Sequence, residues 1–210
     1  KTCLEAANTP NLDQMARRST VGMTGTVPEG MEPSSACACM SVLGYNPRVF
    51  YKGRAAIEAR SLNISVEPDE TVFRANLVTV TSGVMQSYAA GHITSEESAS
   101  IIDTLNDKLG NTGQQFFPGV GYRHILKIKG HPETLNAVCT PPHDIPDQEV
   151  EPHLPRGEGS GFLRDIMSAS MAVLKNHPVN LNRIAQGKLP ATSLWLFWGC
   201  GPLPEMPSFT

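Results

Sequence analysis

The sequence has no excess of basic residues. Its 210 residues include 17 lysines and arginines against 20 aspartates and glutamates, which gives a formal net charge of −3 at pH 7. Proteins that bind duplex nucleic acid or an anionic membrane surface depend on a surplus of positive charge. The composition therefore argues against both kinds of partner, and an anionic small molecule would need arginines gathered at one site.

A long apolar run and a cysteine framework are also missing. The longest apolar run, Ser193–Cys200 (SLWLFWGC), is far shorter than the roughly 20 residues of a membrane-spanning helix, and no signal-peptide pattern opens the chain. The five cysteines have no regular spacing, and an odd number leaves at least one unpaired. We expect no membrane segment and a reducing, cytoplasmic compartment.

The residues that are present describe a folded, loop-rich chain. Hydrophobic residues make up 40% of it, enough for a core, while 18 glycines and 17 prolines indicate many turns. The length fits one large domain or two small ones. Because the first residue is Lys1 and a helix-forming stretch follows directly, we expect the chain to begin inside a longer gene product.

Helical signals recur along the chain. The clearest is Ser95–Leu109, where Thr94 and Glu97 have the spacing of a capping box and Gly110 follows the last apolar residue. Further helices are predicted for residues 10–18, from Ser34 and Ser35 up to Gly44, for residues 53–60, for residues 162–174 and from Pro178 onward.

Strand signals alternate with these helices. Strands are predicted for residues 21–27, 72–80, 114–117, 122–129 and 192–198, the third and fourth forming a hairpin around residues 118–121. In residues 72–80, Arg74 and Asn76 share one face of the strand. The proline-rich segment of residues 140–161 is predicted to be a functional loop.

Ser35 is the first candidate for chemistry. It stands at the start of a predicted helix, where free backbone N–H groups favour an anion, including a phosphate carried by the hydroxyl. Serine is also a preferred N-cap for structural reasons alone. The local pattern leaves both interpretations open.

Several motifs resemble those of one enzyme family. Residues 1–13 (KTCLEAANTPNLD) are similar to the K-T-P-L-E-x-A-x-T-P-N-[LM]-D segment of the archaeal-type cofactor-independent phosphoglycerate mutases, in the alkaline phosphatase superfamily. Residues 33–47 (PSSACACMSVLGYNP) resemble that family's P-G-S-D-x-A-[NH]-L-S-x-L-G-Y-[DN]-P. The likeness continues through residues 53–54, 73–76, 90–93, 122–124, 141–144, 180–183 and 204–209, and residues 195–199 (WLFWG) resemble a bacterial branch proposed to include homoserine kinases.

The resemblance implies a fold class and a division of the chain. The expected class is α/β with an α+β insert: residues 1–50 form the edge of an alkaline-phosphatase-like catalytic domain, and residues 51–210 form most of an inserted substrate-binding domain of mixed sheet and helices. Family members carry a metal-binding Asp-Gly segment before the position of Lys1 and an Asp/His cluster after that of Thr210. The chain is therefore expected to be an excised piece that holds no metal by itself.

The resemblance also implies an activity and a set of site residues. The family interconverts 2- and 3-phosphoglycerate with two divalent metal ions (Mn, Zn, Mg or Co), and Ser35 occupies the position of the phosphorylated, metal-contacting nucleophile. Guanidinium groups suit the phosphate and carboxylate of this small phosphorylated substrate. The residues implied for substrate binding are Arg54, Arg74, Asn76, Arg123, His124, His143 and Asp144.

The sequence departs from the family pattern beside the nucleophile. Ala36 stands where an acidic residue is expected, and Cys39 stands where Asn or His is expected, which weakens the support expected around Ser35. Two alternatives stay open: phosphoryl transfer involving another small alcohol such as homoserine, and a non-catalytic binding domain.

The remaining motifs favour structural roles. Cys37 and Cys39 lack a second ligand pair at zinc-site spacing, and no P-loop glycine pattern indicates an ATP site. Trp195 and Trp198 are predicted to lie in a core or an interface rather than to form a stacking platform. The scattered histidines, His92, His131, His153 and His177, are predicted to be turn or surface residues.

Overall fold

The computed structural model describes residues 2–31 and 33–208 and divides the chain into two compact units that meet between Arg48 and Val49. This division falls two residues before the boundary expected from the sequence. The assignment of the first unit to a catalytic domain and of the second to an insert stays a prediction. Lys1 and Phe209, which belong to the motifs above, lie outside the described residues.

The first unit contains short helices: α1 (Cys3–Ala6), α2 (Pro10–Arg18), α3 (Ser35–Val42) and α4 (Pro47–Phe50), the last of which crosses into the second unit. Helix α2 has the predicted bounds, because Pro10 at its first position has no N–H to leave unpaired. Helix α3 ends one residue before Leu43, whose N–H bonds back to Cys39.

The strand predicted over residues 21–27 is wrong. These residues form neither helix nor strand, and the side chains of Val21 and Met23 are 78% and 102% exposed. The alternation of apolar residues was the only support for a strand. A strand also needs a neighbour for its backbone hydrogen bonds, and no described residue pairs with this segment.

The second unit is built on an antiparallel sheet of five strands: β1 (Glu70–Thr81), β2 (Val84–Ser87), β3 (Gln114–Phe117), β4 (Arg123–Lys129) and β5 (Ser193–Cys200). The long strand β1 is central: it pairs with β4 on one side and with β5 on the other, and β2 joins its C-terminal end. The predicted β3–β4 hairpin is confirmed, with β4 beginning one residue later than expected.

Helices cover the sheet: α5 (Arg54–Ser61), α6 (Ser95–Leu109), α7 (Ser160–Leu174) and α8 (Pro178–Ala185). The expected capping box of α6 is present, since Glu97 N–H donates to Thr94 Oγ1 at 3.2 Å and Thr94 N–H donates to Glu97 Oε2 at 3.0 Å. The predicted long loop contains single 3-10 turns at Pro142–Asp144 and Glu151–His153. The α/β class with an antiparallel, α+β second unit is confirmed.

The core of the second unit has two apolar clusters. The larger contains Phe73, Leu77 and Leu126 from the sheet together with side chains of α6 and α7. The smaller lies under α5, whose Ala55, Ala56 and Ala59 pack on Val72 and Ile125. Helix α5 is therefore fixed over the part of the sheet where Arg74 lies.

One predicted surface histidine is buried. His177 is 5% exposed and caps α8, with Nδ1 accepting from Val179 N–H at 3.3 Å and Nε2 lying 3.0 Å from Thr104 Oγ1. His177 does lie in the turn between α7 and α8, as one of the two predicted alternatives has it, but it is not at the surface, because tertiary packing places it against Thr104 of α6.

The five cysteines are free. Among residues 2–31 and 33–208, no helix has both the length and the apolar character that crossing a bilayer requires.

Candidate functional site

Strand pairing brings three of the predicted site residues onto one face of the sheet. Arg74 and Asn76 are two residues apart on β1, so their side chains point to the same side. Arg123 on β4 lies directly opposite Asn76, and opposed residues of an antiparallel pair share a face. Arg74 and Asn76 are 5% and 2% exposed, whereas Arg123 is exposed.

Arg54 reaches this region because α5 starts against the end of β5. Gly53, at φ 134°, precedes the helix, and a Cβ built there would lie 2.8 Å from Cys200 Cβ. Cys200 is a neutral thiol near pH 7, because burial raises its pKa to about 11. Its Sγ lies 3.2 Å from the Ala56 N–H, from which it accepts a hydrogen bond. A glycine and a buried sulfur thus fix the first turn of α5 and its Arg54.

Aromatic rings of β5 lie against the guanidinium groups. The Trp198 ring centroid is 4.9 Å from Arg54 Cζ and 5.2 Å from Arg74 Cζ, and the Phe197 centroid is 5.3 Å from Arg74 Cζ. These distances are within the range of a cation–π contact. The stacking platform that the sequence reading disfavoured for Trp198 is present, while Trp195, 1% exposed, is a core residue as predicted.

The arginines act on one another electrostatically. Burial lowers the pKa of Arg74, and the positive charges of Arg54 and Arg123 lower it further, while the carboxylate of Glu58 opposes them. Glu58 Oε2 lies 2.9 Å from Arg74 Nε, but this nitrogen has no hydrogen bond of acceptable geometry in the described structure. The pair is an ion pair by distance without a directed hydrogen bond, and it offsets one of three positive charges.

Asn76 Oδ1 is buried on this face without a hydrogen-bond partner among the described residues, and Arg74 Nε has only its ion pair with Glu58. Buried polar groups are nearly always hydrogen-bonded, because leaving one unpaired costs about 1–3 kcal/mol. A hydroxyl that donates to Asn76 Oδ1 would satisfy this buried oxygen.

His124 is a neighbour of this group. It is 1% exposed, and its Nδ1 accepts from the Gly119 N–H at 3.1 Å. That bond places the proton of the neutral ring on Nε2, which is buried without a partner in the described structure. Burial lowers the pKa of His124 to about 3, so the ring is neutral near pH 7. With Arg123 and Glu58 it lines a cavity of about 220 Å³.

His143 approaches the same cluster from the long loop. Its ring centroid is 5.4 Å from that of Trp198 and 6.0 Å from that of Phe197. Tyr88, 6.4 Å from His143, also contacts Tyr122, whose ring faces the Arg123 guanidinium at 5.5 Å. A continuous set of cationic and aromatic side chains thus runs from Arg54 to Arg123.

Asp144 is less engaged. Its Oδ1 lies 3.9 Å from His143 Nε2, and its side chain is 60% exposed. The structure brings five of the seven predicted substrate residues, Arg54, Arg74, Asn76, Arg123 and His143, to one region of the sheet and its adjoining loop. His124 lies opposite Ala75, so its side chain points to the other face of the sheet, and Asp144 lies at the margin.

Ser35 is the first residue of α3 in the first unit. The preceding residue, Ser34, is the N-cap and accepts from Cys37 N–H at 3.3 Å. Ser35 itself is exposed, and no hydrogen bond of its hydroxyl is found within the described residues. The structural alternative considered for Ser35, that of an N-cap, is therefore wrong, because Ser34 has that role.

The described residues do not form a metal centre. No group of three or more His, Cys, Asp or Glu side chains that could hold a metal occurs within residues 2–31 and 33–208. Ser35 has no such group beside it, so the described residues do not by themselves fit a divalent ion.

Sequence reasoning missed Trp198, Phe197, Tyr88 and Glu58 as members of the site. Of these residues, only Glu58 could have been suspected from the sequence, because it stands four residues after Arg54 in the same predicted helix. That spacing is common on any exposed helix and does not single out a site. The ring contacts depend on how β5 pairs with β1, which no local pattern reveals.

The fold defines the chain as a mixed α/β protein whose second unit is built on an antiparallel sheet. Comparison with solved structures supports this class: a cofactor-independent phosphoglycerate mutase of Thermoplasma acidophilum matches all of the chain and 56% of its own length, with a TM-score of 0.63 and 27% identity. A protein of Pyrococcus horikoshii matches with a TM-score of 0.66 over 98% of the chain and 47% of its own, at 22% identity, which bears on the fold alone.

The sequence comparisons define the family. The model of 2,3-bisphosphoglycerate-independent phosphoglycerate mutase matches residues 16–180, so the chain belongs to that family. It is 46% identical to the 2,3-bisphosphoglycerate-independent phosphoglycerate mutase of Methanosarcina barkeri and 45% identical to the probable enzyme of Geobacter sulfurreducens, in both cases over all of this chain. The chain spans about half the length of these relatives, 52% and 53% respectively.

Proposed function

We propose that the protein interconverts 2-phosphoglycerate and 3-phosphoglycerate by phosphoryl transfer through Ser35. The observation that carries the proposal is the gathering of Arg54, Arg74 and Arg123 in one region of the sheet, beside the buried Asn76 Oδ1, which has no hydrogen-bond partner among the described residues. In a chain with a net charge of −3, a local excess of positive charge of this kind favours a small, strongly anionic ligand.

The charges of the site suit the substrate. Three guanidinium groups and one carboxylate, Glu58, leave a formal excess of two positive charges, to which phosphoglycerate brings a phosphate of about −2 and a carboxylate. Each planar guanidinium can bind either group through two parallel hydrogen bonds. Asn76 would offer its amide group to a substrate hydroxyl.

Ser35 supplies the nucleophile. In the first half of the reaction a bond forms between Ser35 Oγ and phosphorus, the bond between phosphorus and one glycerate oxygen breaks, and the serine proton passes in net terms to that oxygen. In the second half the same changes run in reverse onto the other glycerate hydroxyl. No atom or charge is gained or lost, as an isomerisation requires, and the exposed position of Ser35 leaves its oxygen free to attack phosphorus.

The proposed reaction also depends on divalent metal ions. Divalent ions would lower the pKa of a serine hydroxyl and offset charge during transfer, and Ser35 would be one of their contacts. The described residues do not form a metal site by themselves. The reaction belongs to glycolysis, so the proposed compartment is the cytoplasm.

The test is a pair of neighbouring serine variants in the protein expressed from its complete gene. Ser35→Ala should abolish the conversion of 3-phosphoglycerate, followed by ³¹P NMR, while leaving the thermal unfolding temperature unchanged, because Ser34 and not Ser35 caps α3.

Ser34→Ala is the matched control. It should keep turnover within a fewfold and lower stability by about 1 kcal/mol, the usual value of a lost N-cap. Full activity of Ser35→Ala would remove this residue from the mechanism. If the unmodified protein instead phosphorylated homoserine and did not convert 3-phosphoglycerate, the result would favour a phosphotransferase acting on another alcohol.

A further inference from the structure

We infer that Trp198 is a positioning residue whose ring holds the guanidinium groups of Arg54 and Arg74 side by side before the substrate arrives. The inference rests on the proposed function, since it concerns how the same site binds phosphoglycerate. Trp198 lies within cation–π range of both groups, at 4.9 and 5.2 Å.

The backbone of β5 is bent to make this arrangement. Pairing with β1 is irregular between Val72 and Arg74: Phe197 lies opposite Arg74, but Cys200 lies opposite Val72, so β5 has one more residue than β1 in this interval. This two-versus-one count defines a β-bulge, a device that redirects a side chain and recurs beside active sites.

The bulge explains how two consecutive side chains of β5 contact the same guanidinium group. Consecutive residues of a regular strand point to opposite faces, yet Phe197 and Trp198 both contact the guanidinium of Arg74, at 5.3 and 5.2 Å. Trp198 achieves this with φ 50°, a left-handed conformation that is unfavourable for a bulky residue. Gly199 then follows, where an added Cβ would overlap the Phe73 ring.

Strain of this kind persists only where the surroundings enforce it, and it clusters at ligand sites. The core positions of β5 are filled by residues 194–197, and the Trp198 side chain lies only partly buried at the edge of the larger cluster. The result of the bulge is a second aromatic face beside the arginines.

The arginines need such a face because they repel one another. Arg54 and Arg123 both disfavour the charged form of Arg74, and the carboxylate of Glu58 opposes them. Arg54 is partly exposed and could extend into solvent. A ring that stacks on the flat side of a guanidinium leaves its N–H edges free for an anion, and ordering these side chains in advance reduces the entropy lost on binding.

The experiment measures binding of 3-phosphoglycerate by titration calorimetry, with Ser35→Ala in the complete protein as the background so that no turnover occurs. Trp198→Leu should weaken binding about tenfold, and Trp198→Phe, which keeps a ring face, less than threefold. Phe117→Leu is the control: its ring lies 5.9 Å from Lys127 Nζ, and its loss should leave the affinity unchanged.

A double-mutant cycle separates positioning from a general structural effect. If Trp198 acts through Arg54, the double variant with Arg54→Ala should lose clearly less affinity than the product of the two single losses. If the leucine variant does not fold, the same cycle with Trp198→Met decides the question.

The outcomes distinguish this inference from the function on which it rests. No binding of 3-phosphoglycerate to the background protein would overturn the proposed function. Normal binding to that protein, combined with unchanged affinity in Trp198→Leu or with single losses that multiply in the double variant, would overturn the role of Trp198 alone.

Discussion

Arg183 on α8 donates from Nη1 to Glu97 Oε2 at 2.6 Å, across the first turn of α6. The same guanidinium donates from Nε to the Leu189 carbonyl at 2.9 Å and from Nη2 to the Ala90 carbonyl at 2.8 Å. Burial on its own would raise the pKa of Glu97, but hydrogen bonding to Thr94 and the charge of Arg183 lower it overall. One buried cation thus joins α6, α8 and two loops.

Removing this cation should be costly. Arg183→Met should lower the free energy of unfolding by about 3–5 kcal/mol, because it leaves Glu97 and the carbonyls of Leu189, Ala90 and Gly91 without their partner. Leu181→Ala, on the exposed side of the same helix at 52% exposure, should change it by less than about 1 kcal/mol. Urea unfolding of both variants measures the difference, and equal effects would contradict a special role for Arg183.

His124 should make the stability depend on pH. Its pKa is about 3 in the folded chain and about 6.5 when unfolded, so between these values the unfolded state binds more protons. Stability should therefore fall as the pH is lowered below about 6.5, with the unfolding equilibrium constant rising up to about tenfold per pH unit.

The variant His124→Gln checks this expectation. Glutamine keeps an acceptor for the Gly119 N–H but has no proton to gain, so the slope of stability between pH 6 and pH 4.5 should become smaller. His153→Gln, which alters a partly exposed histidine, should keep the slope of the unmodified chain. The idea fails if the slopes of both variants are the same.

Local signals predicted those elements whose determinants are local. Helix α6 has its predicted bounds because its capping box, apolar stripe and terminal Gly110 all lie within the segment. Residues 21–27 show the opposite case, because alternation describes a strand only when a second strand is available. His177 was misjudged for the same reason: its burial depends on Thr104, which is 73 residues away in the sequence.

The candidate site divides in the same way. The shared face of Arg74 and Asn76 follows from the strand period, and the resemblance to a family implied Arg54 and Arg123. The role of Trp198 could not be predicted, because a one-residue bulge in β5 reverses the direction that alternation assigns to this side chain. Tertiary register, rather than composition or period, decides which aromatic residues meet the arginines.

Gly53 should be needed for the position of Arg54. Gly53→Ala places a Cβ 2.8 Å from Cys200 Cβ and 2.9 Å from its Sγ at a backbone φ of 134°, so α5 has to shift. The variant should be destabilised and should bind phosphoglycerate more weakly. Gly161→Ala, inside α7 with open space around it, should raise stability by up to about 1 kcal/mol. Calorimetric unfolding and titration compare the two, and similar behaviour would contradict the steric argument.

The fork-shaped guanidinium of Arg74 should matter more than its charge. Arg74→Lys keeps the positive charge but cannot make two parallel hydrogen bonds to a phosphate or carboxylate. Because lysine has a shorter reach, the polar atoms of Glu58 and Asn76 would also be left with a poorer partner. Affinity for 3-phosphoglycerate should fall by about 1.5–3 kcal/mol, as is typical of a charged hydrogen bond.

Arg123→Lys should cost less, because Arg123 is exposed and a surface charge contact is screened by solvent. Arg60→Lys, the same substitution at an exposed position near the end of α5, should leave the affinity unchanged. Titration of the three variants in the complete protein gives the order of losses, with Arg74 first, Arg123 second and Arg60 last. Unchanged affinity in both the Arg74 and Arg123 variants would leave these residues with a structural role only.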